Sequence, residues 1–276
     1  MRRALLALLV CGALLSGSSV AVQAAPGPVV VRGYSYGPHP RQTVTVYGTK
    51  GPALVILHGG FWADDTDWSD WASWFAERGF RVYDTDYRLN SDAPWDAQRE
   101  DALAALRWVA DRNGGDRPLL LGSSAGGQIA TVAATYGAGA TRVRGVVALS
   151  PVATPFRAWV DGAREDADEH QRRLRREARR LAGCDPEHEG RRCWLRWADM
   201  AARTHASGEQ DAPLFLVHSA EDFVPASHSH DLAVAQSVAG STDTRTRIVL
   251  GDAHGARLLD DSGVRRSVLR WLRAHA

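Results

Sequence analysis

The stretch "LLLGSSAGGQIA" (119–130) ends an apolar run in glycine, two serines, alanine and two more glycines. Residues this small make poor core and poor helix, so tight backbone geometry is what the segment supplies. "GSSAG" (122–126) fits G-x-S-x-G in one frame, with Ser124 at the centre. A turn from strand to helix this sharp strains the central residue and leaves no room two positions away, so glycines flank it. The hydroxyl is pushed out at the carboxyl end of the strand, beside the first peptide N–H groups of the helix. The chemistry open to such a serine is nucleophilic attack. On the five residues alone, a glycine-rich turn without chemistry fits as well.

A serine hydroxyl is a weak nucleophile near neutral pH, so it needs a base, and the base needs an orienting acid. In doubly wound sheets these groups sit in loops after later strands. "HSAEDFVP" (218–225) offers Glu221 and Asp222, and "GDAHGARL" (251–258) offers Asp252 and His254. Ten histidines are present, and His254 alone lies in a glycine-flanked loop directly after the last apolar strand. His58 belongs to "HGGFW" (58–62), where it braces a glycine pair. A glycine pair after a strand lets backbone N–H groups approach a ligand closely, which suits the oxyanion of acyl transfer.

These groups need a scaffold that brings them to one edge, and the chain alternates short apolar runs with helical patterns. "VVVRGYSY" (29–36) and "QTVTVYG" (42–48) read as a hairpin. Strands follow at 53–60, 80–88, 118–123, 143–151, 213–222 and 246–250, with helices at 70–80, 94–112, 125–137, 226–238 and 264–276. This alternation predicts a mostly parallel sheet covered on both faces. Residues 155–212 carry no strand signal and are too long for a simple connection, so they read as a helical insertion over one end of the sheet. In "QRRLRREARR" (171–180), Leu174, Ala178 and the following Leu181 form one stripe, with arginine elsewhere, as in a solvated cap helix. Trp62, Trp68, Trp71 and Trp74 read as core or cap contacts, with a sugar or aryl subsite at Trp62 as the sharper expectation.

"HGGFW", "GSSAGG", "HSAEDFVP" and "GDAHG", in this order, resemble the α/β-hydrolase superfamily, and within it the serine esterase/lipase branch related to hormone-sensitive lipase. The resemblance covers about residues 29–275 except the insertion. It implies an α/β-hydrolase fold, a mostly parallel central sheet with helices on both faces and a helical cap. It makes Ser124 the nucleophile, Asp222 the acid and His254 the base. It places oxyanion donors at the backbone N–H of Ala125 and of Gly60, with Phe61. Three features depart from the branch: Phe61 stands where a third glycine is common, Ser219 where glycine is frequent, and the insertion matches nothing recognisable. The expected activity is hydrolysis of carboxylic esters of small to medium acyl groups through an acyl-enzyme. Peptidase or amidase chemistry, including an arylformamidase-like role, is the alternative on the same scaffold.

The chain has 276 residues, 45% hydrophobic and 24% charged, ordinary for one soluble domain. Arg2, Arg3, the apolar run Ala4–Leu15 and the small residues before Pro26 read as a cleavable export signal over 1–25, leaving a single domain at 26–276 and a secreted protein. Cleavage takes 33 basic residues to 31 against 32 acidic ones, so no basic excess remains for nucleic acid or anionic lipid. The apolar run is too short to span a bilayer comfortably, so no stable membrane insertion is expected after cleavage. Cleavage also removes Cys11, and the remaining pair, Cys184 and Cys193, reads as a disulfide in an exported protein. No carboxylate or histidine cluster shows metal-ligand spacing and no Rossmann or Walker fingerprint occurs, so no cofactor is expected. The expected partner is a small-molecule or polymer-attached ester; oligomeric state is not legible.

Overall fold

The computed structural model describes residue 29 and residues 31–241 and 243–276, so the expected export signal lies outside the described residues. The chain opens with a hairpin, β1 (Val31–Ser35) and β2 (Thr43–Tyr47), followed by β3 (Ala53–Leu57), α1 (Ser69–Ala76) and β4 (Arg81–Thr85). Then come α2 (Ala97–Arg112), β5 (Leu119–Ser123), α3 (Ala125–Thr135) and β6 (Gly145–Leu149). Three helices, α4 (Pro155–Asp161), α5 (Glu169–Ala182) and α6 (Gly190–Asp199), precede β7 (Leu214–Ser219). The chain closes with α7 (Ser227–Val238), β8 (Thr244–Val249) and α8 (Ser262–Ala274).

The eight strands form one sheet in the order β1-β2-β4-β3-β5-β6-β7-β8, antiparallel at β1/β2 and β2/β4 and parallel from β4 onward. Every residue of β3, β5, β6 and β7 is buried, which is why these strands are continuous apolar runs: helices cover both of their faces. Side chains alternate between the two faces. Leu54, Ile56, Leu119, Leu121, Val147 and Val217 pack with α1 and α8. Val55, Leu57, Leu120, Val146 and Leu216 pack with α2 and α3.

The insertion joins that second core. Leu174, Ala178 and Leu181 of α5 are buried as the stripe predicts, together with Trp159, Cys193 and Trp197. Asp168 and Gln171 form a capping box at the start of α5, and Gly183 ends it at φ +64°. The insertion is sewn to the body by hydrogen bonds. Trp95 N–H donates to Leu181 O at 2.7 Å, Trp95 Nε1 to Asp199 Oδ2 at 2.7 Å, and Gln128 Nε2 to Met200 O at 2.7 Å. Buried Arg99 reaches the same Asp199 carboxylate. Cys184 and Cys193 are disulfide-bonded, tying the loop after α5 to α6. Among the described residues no helix is long and apolar enough to cross a membrane.

Candidate active site

The parallel sheet places the carboxyl ends of β5, β6, β7 and β8 side by side, with Ser123 opposite Leu149, Leu149 opposite Val217 and Ser219 opposite Val249. The residues that follow these strands therefore meet along one edge. Ser124 is the turn between β5 and α3, at φ 53°, ψ −113°, a conformation that L residues rarely adopt. Its N–H donates to Leu149 O at 2.8 Å and its carbonyl accepts from Val152 N–H at 3.3 Å, so neighbouring backbone holds the strained residue in place. The flanking glycines are required by contact. A Cβ on Gly122 would run into the Gly126 carbonyl and Ala130, and one on Gly126 into the carbonyls of Leu57 and His58. The Ser124 hydroxyl makes no hydrogen bond among the described residues, and the residue is 6% exposed.

Asp222 and His254 come together as a pair. His254 Nδ1 and Asp222 Oδ1 are 2.8 Å apart, and the same oxygen accepts from Val224 N–H at 3.0 Å. This leaves Nε2 as the free ring nitrogen of His254. Glu221 and Asp252, the other two acids of these loops, are exposed. The His254 loop folds back onto the turn of the nucleophile: Gly255 packs so closely that a Cβ there would lie 2.5 Å from Ser123 Oγ. Phe223 covers the imidazole at 4.2 Å between ring centres. His218, buried on β7 behind this pair, is pushed down by desolvation to about 4 and stays neutral at pH 7.

The loop after β3 approaches the turn from the other side. A Cβ on Gly59 would sit 3.3 Å from Ser124 Cβ, so the chain passes Ser124 at van der Waals distance. Gly60, Phe61 and Trp62 all have positive φ, at 104°, 60° and 59°, and the turn is closed by Ala63 and Asp64 N–H donating to Gly60 O at 2.9 Å. The N–H groups of Gly60, Phe61 and Ala125 have no hydrogen-bond partner among the described residues. His58 braces this turn as expected: it is buried, its ring stacks on Tyr87 at 4.3 Å, and its carbonyl accepts from Tyr87 OH at 2.8 Å. Burial holds the His58 ring below its ordinary range.

Trp62 is a core residue, the first of its two readings, and the alternative of a sugar or aryl subsite there is overturned. Trp62 is 0% exposed, and its Nε1 donates to Gln128 Oε1 at 3.0 Å inside the core. The aromatic surfaces at the mouth are Phe61 and Phe223, stacked at 6.0 Å, with His170 of α5 on Phe223 at 5.0 Å and Arg173 over Phe61 at 4.4 Å. Arg173 also pairs with Asp64, and α5 thereby roofs the site. The structure brings Asp185, Glu187 and His188 within 4.8 Å of one another, a grouping the sequence spacing did not suggest. Arg179 pairs with the Asp185 carboxylate there, and His188 Nδ1 lies 3.4 Å from it.

Two participants escape a reading of the sequence. Gln128 ties the Trp62 indole to the insertion. Ser150, buried at φ 47° just past β6, donates from Oγ to Asp222 Oδ2 at 2.6 Å and accepts from Gly255 N–H at 3.0 Å. Neither carries a local motif; in "LSP" the serine reads as a strand end.

The sequence profile of the α/β-hydrolase fold family matches residues 54–221, more than half of the chain. The chain belongs to the α/β-hydrolase fold family. Among curated relatives of this chain, Esterase LipI of Mycobacterium tuberculosis (strain ATCC 25618 / H37Rv) is 36% identical over 123 residues, 42% of this chain and 37% of that protein. Carboxylesterase NlhH of Mycobacterium tuberculosis (strain CDC 1551 / Oshkosh) is 38% identical over 91 residues, 30% of this chain and 28% of that one. The matched stretches thus span well under half of these relatives' lengths. Of solved structures, Esterase B from Lactobacillus Rhamnosis (HN001) superposes with a TM-score of 0.74 at 21% identity, covering 92% of this chain and 88% of that one. A truncated carbohydrate esterase from gut microbiota superposes at 0.73 with 16% identity, covering 92% and 98%. At such identities the likeness is one of fold.

Proposed function

We propose that this α/β-hydrolase is an exported serine esterase that cleaves carboxylic esters of small to medium acyl groups through an acyl-enzyme. One observation carries the reading: the His254 Nδ1–Asp222 Oδ1 pair at 2.8 Å stands at the same sheet edge as a serine held at φ 53°. Asp222 orients the imidazole, so that Nε2 takes the proton of Ser124 Oγ as the oxygen attacks the acyl carbon. The resulting imidazolium faces a buried carboxylate that stabilises it. The N–H groups of Gly60, Phe61 and Ala125 are the donors for the oxyanion. His254 then returns the proton to the departing alkoxide, and water, activated by the same ring, releases the acid from Ser124. The free Ser124 hydroxyl is compatible with this, because catalytic hydrogen bonds are often long before substrate binds.

Ester rather than amide substrates are favoured by the esterase and carboxylesterase names of the relatives. The small acyl range is supported by Phe61 in a turn where a smaller residue would open space, and by α5 lying across the mouth. Export is supported by the sequence pattern of residues 1–25 and agrees with the disulfide. The test is Ser124→Ala assayed on p-nitrophenyl acetate and butyrate, with fluorophosphonate labelling of the parent protein. Loss of a triad nucleophile is expected to lower kcat by roughly 10⁴–10⁶-fold and to abolish labelling. Undiminished turnover in the alanine variant overturns the proposal.

A further inference from the structure

Resting on the reading of the site just given, we propose that Ser150 is a positioning residue that sets the Asp222–His254 pair against the nucleophile turn. The short run 149–152 touches the nucleophile turn, the acid and the residue that follows the base. Leu149 O accepts from Ser124 N–H at 2.8 Å, and Val152 N–H donates to Ser124 O at 3.3 Å. Between them, Ser150 Oγ donates to Asp222 Oδ2 at 2.6 Å and accepts from Gly255 N–H at 3.0 Å. One hydroxyl therefore fixes the rotation of the acid and anchors the residue next to the base, while its neighbours in sequence clamp the nucleophile's backbone.

The conformation of Ser150 supports a functional reason for the serine. Its φ of 47° lies in the left-handed region, where glycine sits without strain and a side chain does not. It also precedes Pro151, which restricts its backbone further. Backbone geometry alone favours glycine here, and what serine adds is the hydroxyl. Without that group, Asp222 Oδ2 loses a short hydrogen bond and the Gly255 N–H loses its acceptor, both in a fully buried place. His254 then follows two unanchored partners, and small misplacements of a general base are costly in rate.

Ser150→Ala and Ser150→Gly separate this role from mere packing. Both remove the hydroxyl, but only glycine relieves the positive φ, so the glycine variant is expected to melt at a higher temperature than the alanine variant. Positioning predicts that kcat on p-nitrophenyl butyrate falls about 10- to 100-fold in both variants alike, the size expected for one hydrogen bond to a charged group. KM stays within about twofold, since the ester does not touch Ser150, and fluorophosphonate labelling slows in parallel with kcat. If either variant keeps the parent kcat, or if activity follows melting temperature so that glycine restores what alanine loses, the role is disproved. The reading of the active site fails separately: in that case the parent protein itself is not labelled at Ser124, whatever residue 150 is.

Discussion

At the scale of single residues, the site is built from backbone conformations that most side chains avoid. Phe61, Trp62, Ser124 and Ser150 are non-glycine residues at positive φ, and all four lie in the turns after β3, β5 and β6 that meet at the site. Strain of this kind costs on the order of 1–3 kcal/mol per residue and persists where surrounding structure enforces it. Phe61 gives a direct experiment. Phe61→Gly removes an aromatic wall, relieves φ 60° and keeps the backbone N–H. The ratio of kcat/KM for p-nitrophenyl octanoate over acetate is expected to rise at least fivefold, with melting temperature unchanged or higher. An unchanged ratio means that Phe61 does not bound the acyl site. Ser124 and His254 stand out in the sequence because each follows an apolar strand and sits among glycines, whereas the loop after β7 offers Glu221 as well as Asp222, and only the family resemblance points to Asp222. Ser150 was not legible, because its meaning lies in partners 72 and 105 residues away. Trp62 was readable as core from the spacing of the tryptophans, and its indole N–H, satisfied by Gln128 inside the core, removes the alternative of a subsite.

At the scale of elements, burial on both faces made the central strands readable, and partial exposure blurred β8. The apolar run "TRIVL" points to residues 246–250, whereas the strand covers Thr244–Val249. Arg245 and Arg247 lie on an edge strand paired on one side only, so hydrophobicity is no guide there. The ends of α5 follow from its capping box and Gly183. Its placement across the mouth does not, since no periodicity says that Arg173 reaches Phe61. The disulfide is expected to stabilise the loop between α5 and α6 rather than the chemistry. It closes a short loop, with a sequence separation of 9, worth about 2–3 kcal/mol on a loop-entropy account. Replacing both cysteines by alanine should lower the melting temperature by roughly 5–10 °C, with kcat within about twofold in assays at 25 °C. A large loss of kcat at full foldedness would tie the loop to the site.

At the scale of the whole molecule, buried titrating groups set the response to acid. Burial pushes His218 down to about 4 and His228 to about 3, from an ordinary value of 6.5. Above pH 6.5 both rings are neutral whether folded or not, and they contribute nothing. As pH falls from 6.5 toward 4, the unfolded chain takes up protons that the native rings refuse, so stability declines by about 1.4 kcal/mol per ring per pH unit. Asp84 opposes them: burial, with Asp86 and Asp67 nearby, raises it to about 7, so below that the native carboxyl holds a proton that the unfolded chain releases. Buried His58, also held below its ordinary range, acts in the same direction as the two rings, so on balance stability falls between pH 6.5 and 5. Denaturant titrations at these two values should show a loss in the parent that is smaller by about 1.5 kcal/mol in His228→Gln. Equal slopes in the two proteins would show that His228 is not the source. The insertion bears on the whole molecule differently. Its carbonyls at Leu181 and Met200 receive donors rooted in the main body, the Trp95 N–H and the Gln128 amide. Transplanting a foreign roof from another member of the fold family would strand both donors in the dry interior. What this roof presents to the site is therefore more readily altered by side-chain exchange along α5, one position at a time, than by wholesale grafting.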